Sequence, residues 1–199
     1  MKKIIMPVIL LTTILLCGCN KLPTADVNKR CYDTFSNMNS FLAEVKVTSH
    51  SNTNSTEYTA TQYYKAPDKM RSESQDLVSI VNGRSMCVKN AASGQIVRAE
   101  QLPKTDVDFM FLQNVVSAYY QGEETTAAVD SQDNSEVLTL TVQTGLANPY
   151  KAVAELKIRA NDMIPQTLEI KGRDGKTYTE IEYLSFKINE DIPDEIFEF

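Results

Sequence analysis

Cys17 and Cys19 stand one residue apart in the stretch ILLCGCNK, residues 14–21. Thiols at that spacing can ligate a metal, exchange electrons, or carry a lipid. A structural metal needs about four nitrogen or sulfur ligands. No further cysteine or histidine lies close enough in sequence to complete such a set. The order Leu16-Cys17-Gly18-Cys19 instead fits a lipobox, with Leu at −3, small residues at −2 and −1, and then the acylated cysteine. The small residues let the cleavage site enter the peptidase, and the thiol of Cys19 takes the diacylglycerol. Were Cys17 the acceptor, the bulky Leu16 would occupy −1. Upstream, Lys2 and Lys3 precede an apolar run from Ile4 to Leu16. That run is shorter than the roughly 20 residues a membrane-spanning helix needs, and it suits a secretory signal. The expected organisation is a signal peptide over 1–18, a lipid-anchored tether over 19–25, and one domain over 26–199.

Catalytic chemistry finds little support. His50 is the single histidine. Ser49 and Ser51 flank it, but neighbours along a strand point to opposite faces, which defeats a Ser-His pair. A solvated histidine at a strand end is expected, and a histidine-based zinc site is excluded. The acidic groups Glu123-Glu124, Glu190-Asp191 and Asp194-Glu195 read as solvated faces. No nucleophile elbow, P-loop or dinucleotide fingerprint occurs. The chain is therefore expected to be no enzyme, with no catalytic residue, no metal ligand and no cofactor. Cys31 and Cys87 remain. An extracytoplasmic location permits a disulfide between them, and two buried free thiols fit their apolar settings as well. Tyr63-Tyr64 and Tyr119-Tyr120 suit either a docking surface or packing at the core and rim.

The formal net charge is −6, and it becomes more negative once Lys2 and Lys3 leave with the signal. That balance argues against nucleic acid and against a basic membrane-binding face, so attachment to a membrane would come through the lipid.

The elements that position these residues follow from periodicity. Val27, Cys31, Phe35 and Met38 recur at helical spacing, with Asp26 as a candidate cap. Phe41, Ala43, Val45 and Val47 then alternate as a half-buried strand. Residues 49–56 are polar and read as a loop. Strands follow over 57–65 and 69–74, then a hairpin turning at Asn82-Gly83, and a further turn at Ser93-Gly94. A second helix is predicted from Thr105, as N-cap, to Tyr120. Its face is Val107, Met110, Phe111, Asn114, Val115 and Ala118. Residues 122–136 read as a polar connector. Strands over 137–143, 153–160, 166–171 and 177–187 complete the set, the last two joined by Asp174-Gly175. Ile192, Ile196, Phe197 and Phe199 are available to close over a core. The fold class is α+β: a curved antiparallel sheet, an incomplete barrel, covered by about two helices.

Three stretches carry a family resemblance. Residues 63–73, YYKAPDKMRSE, residues 77–98, LVSIVNGRSMCVKNAASGQIVR, and residues 164–199, IPQTLEIKGRDGKTYTEIEYLSFKINEDIPDEIFEF, resemble in order and spacing segments of the LolA/LolB family of bacterial lipoprotein carriers. The resemblance covers roughly residues 26–199 and implies a half-barrel capped by helices. Within it, the chain is most similar to the GerS-type spore-germination lipoproteins. That likeness implies a non-enzymatic partner, or activator, of a spore-cortex N-acetylmuramoyl-L-alanine amidase, needed for cortex modification and germination. It also implies an extracytoplasmic, lipid-anchored location, in a spore-former the space between forespore and mother-cell membranes. The alternative is a lipoprotein or lipid carrier, or acceptor, holding acyl chains in the half-barrel. Free strand edges could also pair two copies of the chain.

Overall fold

A computed structural model describes residues 23–51, 53–100, 109–122, 124–132 and 135–198. The lipobox residues Leu16, Cys17, Gly18 and Cys19 lie outside these, as do Thr105, Val107, Glu123 and Phe199.

Helix α1 spans Thr24–Ser36 and buries Val27, Cys31 and Phe35, the residues whose spacing predicts it. Its cap is Pro23, not Asp26. Proline suits a helix start because its fixed φ is already helical and the donor it lacks would go unused. Asp26 lies in the first turn, where its charge complements the helix dipole.

Eleven strands follow. They are β1 (Ser40–His50), β2 (Ser55–Lys65), β3 (Lys69–Ser74), β4 (Leu77–Asn82), β5 (Ser85–Asn90), β6 (Ile96–Ala99), β7 (Thr125–Gln132), β8 (Ser135–Gln143), β9 (Val153–Arg159), β10 (Ile164–Lys171) and β11 (Thr177–Ile188), with helix α2 (Leu112–Gln121) between β6 and β7. They form one sheet in the order β6-β5-β4-β3-β2-β1-β11-β10-β9-β8-β7, every neighbouring pair antiparallel. The sheet curves but does not close, and its edges are β6 and β7. This is the LolA/LolB-like half-barrel that the sequence implies.

Two segments depart from expectation. The described part of α2 starts at Leu112, with Phe111 as its N-cap. Of the predicted face, Phe111 and Val115 are buried and Met110 and Ala118 pack against the core, while Leu112 and Val116, outside that face, are buried as well. The expected connector over 122–136 contains β7. Its inward positions include Ala127 and Val129, and its outward positions are Thr126, Ala128 and Asp130, none of them large and apolar, as suits an edge strand. The 49–56 loop is likewise shorter than expected, because β1 runs on to His50 and β2 begins at Ser55.

Strand parity sorts the side chains into two faces. On the concave face Phe41, Val45, Leu138, Leu140, Leu156, Ile158, Leu168 and Ile181 join both helices in the main core. The helices pack over β7, β8 and β9. The other wing of the sheet, β3 to β6, carries no described α-helix on either face; a short 3-10 turn, Asp194–Phe197, lies against β3 and β4.

Candidate functional site

The β2–β6 wing has two recesses, one on each face. On the concave face, a hollow of about 620 Å³ lies beside the filled core. Cross-strand register brings Gln62, Ser72, Ser79 and Val88 into one row along its floor. Tyr58, Ser74 and Leu77 border it, and Met110 and Phe111 wall it from the core side. Gln62 is fully buried at the boundary. Its amide donates to the Met110 carbonyl at 3.2 Å, while its own carbonyl oxygen has no partner. The hollow thus mixes hydroxyl and amide groups with the apolar side chains of Tyr58, Leu77, Val88, Met110 and Phe111.

On the convex face the C-terminal segment forms a clamp. Asn189 turns the chain in the left-handed region, φ 57°, with its side-chain oxygen on the Asn39 amide at 2.9 Å. The segment then crosses the row Ser40, Lys65, Lys69 and Asn82, which are cross-strand partners on four successive strands. The Ser40 hydroxyl donates to the Glu190 carbonyl, and Lys65 donates to the Ile192 carbonyl at 2.8 Å. Asp194 meets Lys65 at 2.9 Å and Lys69 at 3.0 Å. Hydrogen bonds from both lysines hold its carboxyl below the ordinary range. Arg71 donates to the Ile196 carbonyl at 2.9 Å and pairs with Glu73. Ile192 and Phe197 bury against Ile80, with Tyr63, Val78 and Ile196 around them. Ile192, Ile196 and Phe197 therefore do close a core, but a second one on the opposite face from the first.

Beyond the clamp the convex face stays open. A groove of about 450 Å³ runs over Val78, Ile80, Cys87 and Ile96, rimmed by Lys89, Arg98 and Glu198. Lys89 and Arg98 make no ion pair among the described residues.

The residues singled out for chemistry are dispersed. His50 ends β1, with its ring Nδ1 2.9 Å from the Ser55 hydroxyl. Cys31 and Cys87 are both free and buried. Cys31 lies in the main core and Cys87 faces the convex side, so the sheet separates them and they form no disulfide here. Burial pushes the Cys31 thiol up to about 11, against a lowering contribution from its hydrogen bond with Tyr120. Tyr64 stacks on Phe41 in the core, whereas Tyr63 packs under the clamp. Tyr119 and Tyr120 pin α2 to α1 through Asn28: Asn28 donates to the Tyr119 hydroxyl at 3.1 Å, and Tyr120 donates to the Asn28 carbonyl at 2.9 Å. No group of three His, Cys, Asp or Glu side chains able to hold a metal occurs among the described residues. No described helix is long and apolar enough to cross a membrane.

Sequence reasoning missed both recesses. The available signal was strand parity: counting alternate residues through the β2–β6 hairpins puts serines and Gln62 on one face, and Arg71, Ile80, Cys87 and Arg98 on the other.

A family model described as sporulation protein YdcC-like matches residues 1–197. No curated protein matches the chain in sequence. Among solved structures, an uncharacterized conserved protein from Thermus thermophilus aligns at 12% identity over 88% of this chain and 93% of its own, with a TM-score of 0.57. A LolA superfamily protein from Nitrosomonas europaea aligns at 12% identity over 90% of this chain and 99% of its own, TM-score 0.46. The GerS lipoprotein, in its complex with the CwlD amidase of Clostridioides difficile, aligns at 18% identity over 84% of this chain and 96% of the matched chain, TM-score 0.44.

Proposed function

We propose, from the premise that the chain belongs to the YdcC-like family of sporulation proteins, that it is a lipid-anchored binding protein without catalysis of its own. Its partner in this reading is a spore-cortex N-acetylmuramoyl-L-alanine amidase, which it activates for cortex modification and germination. Residues 1–18 serve as a lipoprotein signal, and Cys19 is acylated. The protein works outside the cytoplasm, between the forespore and mother-cell membranes.

The observation that carries this reading is how the half-barrel is filled. Beneath the helices, Phe35, Phe41, Phe111, Leu112, Leu140 and Leu156 are fully buried and occupy the interior. The concavity that stays open mixes Gln62, Ser72, Ser74 and Ser79 with Tyr58, Leu77, Val88, Met110 and Phe111. With the interior beneath the helices filled, no deep acyl-chain cavity remains there among the described residues, and the mixed open surface is of the kind that protein interfaces use. The resemblance of the whole chain to GerS-type lipoproteins suggests the class of partner.

The test pairs two measurements. The mature chain should co-purify with the amidase encoded in the same genome and raise its hydrolysis of cortex peptidoglycan, with no hydrolysis when alone. An amidase that is fully active by itself refutes the reading. The competing reading, a lipid carrier, gains the ground if the chain binds a fluorescent fatty acid tightly.

A further inference from the structure

We propose that the free edge of β6, with the convex groove beside it, docks an extended segment of a partner protein that alternates carboxylate and apolar side chains. The groove is built on two cross-strand rows. One runs Arg71, Ile80, Cys87, Arg98, and the other Glu73, Val78, Lys89, Ile96. The protein's own C-terminal segment covers the adjoining row Lys65, Lys69 and Asn82 and the inner end of the first groove row at Arg71 and Ile80. Its carboxylate and apolar residues meet lysine and apolar residues there: Asp194 on Lys65 and Lys69, Phe197 on Ile80. A similar combination of basic and apolar side chains continues over the outer half, uncovered by the described residues. Cys87 and Val78 form the floor, and Ile96 is 48% exposed at the lip.

Charge selects the occupant. Arg71 is neutralised by Glu73. Lys89 and Arg98 then face Glu198 alone, which leaves a net positive groove on a chain whose overall charge is −6. The backbone supplies the mode of binding. Strand β6 pairs only with β5 among the described strands, so its outer hydrogen-bonding groups face away from the sheet. An edge of this kind accepts an added strand. Side chains of that strand would fall alternately on the convex face, against Ile96 and Arg98, and on the concave face, against Val97, which is 60% exposed. Carboxylates falling on the convex face meet Arg98 and Lys89, and the apolar side chains between them fall on the concave face against Val97.

This inference deepens the partner reading and rests on it only for the partner's identity. The test uses the mature chain carrying Cys19→Ser and a fluorescein-labelled heptapeptide alternating Glu with Ile and Val. Anisotropy should show saturable binding that weakens with added salt. Lys89→Glu with Arg98→Glu should weaken it about tenfold or more, and a Lys/Ile peptide should then prefer the reversed variant. Ile96→Pro should also abolish binding by removing an edge donor. Unchanged thermal unfolding of the charge-reversed variant guards against misfolding, since both side chains are exposed. No binding to the parent chain overturns the proposal, as does equal binding to the reversed variant. Loss of binding only in Lys65→Ala with Lys69→Ala overturns it too, because the peptide would then be displacing the protein's own tail. Co-purification of the amidase is scored separately, so its failure counts against the partner reading and leaves the groove's result standing.

Discussion

Single side chains here carry more information about order than about reactivity. Asp194 is the clearest case. Its carboxyl is held below the ordinary value of 3.8 by Lys65 and Lys69. A folded pKa below the unfolded one means that the stabilisation is complete above the unfolded value and disappears as pH falls through the folded one. The clamp should therefore loosen in acid, below about pH 4. Methyl NMR shifts of Ile192 should move toward random-coil values over that range, and Asp194→Asn should flatten the titration. Glu169 behaves in the same direction for a related reason: burial would raise it, but Lys171 and Lys157 outweigh that and lower it. Cys31 makes the opposite point. With its thiol near 11 and its side chain fully buried, almost no thiolate exists at neutral pH. A disulfide reagent at pH 8 should leave Cys31 unmodified in the folded protein and label it once denatured.

Elements differ in how firmly they are held. Strand β1 is the centre of the sheet and buries Phe41, which stacks on Tyr64 and contacts Phe186. Phe41→Ala should cost about 3–5 kcal/mol, read from denaturant unfolding. Phe197 is equally buried but belongs to a terminal segment. Its truncation can be relieved by peeling the tail away, so Phe197→Ala should cost globally about 2 kcal/mol or less. Hydrogen exchange should instead show residues 190–198 losing protection while β1 keeps it. In the β4–β5 hairpin, Gly83 has φ 61°, a conformation costly for any residue with a Cβ. Gly83→Ala should lower stability by about 1–2 kcal/mol with the sheet intact by circular dichroism. The hairpins were legible in sequence because Asn82-Gly83 and Asp174-Gly175 are required by backbone geometry itself. Strand β7 was not legible, since an edge strand with small inward residues lacks the alternation that marks a half-buried one.

At the scale of the molecule, the proposed anchor and the sheet order together give an orientation. From Cys19 to the start of α1 at Thr24 the chain can extend about 17 Å at most. Helix α1 lies over β7 and β8, whereas β6 forms the opposite edge of the sheet. Anchoring at Cys19 would hold the helical side close to the membrane and turn the β6 wing outward. Mass spectrometry of the mature protein should find acylated Cys19 as its first residue. Cys19→Ser should move the protein from the membrane to the soluble fraction, and a mature N-terminus elsewhere would remove the anchor.

The sequence by itself determined the fold class, the order of most elements and the candidate lipidation site. These depend on local rules: 3.6- and 2-residue periodicities, left-handed turn positions, and the side-chain sizes around one cysteine. Tertiary structure alone decided which face each strand residue serves across the curved sheet. Register brought Ser40, Lys65, Lys69 and Asn82 into one row, and it set Cys31 and Cys87 on opposite sides. It also placed the C-terminal apolar residues on the convex face rather than over the main core. Each of these outcomes depends on the pairing of strands distant in sequence, where a shift of one residue would exchange the faces.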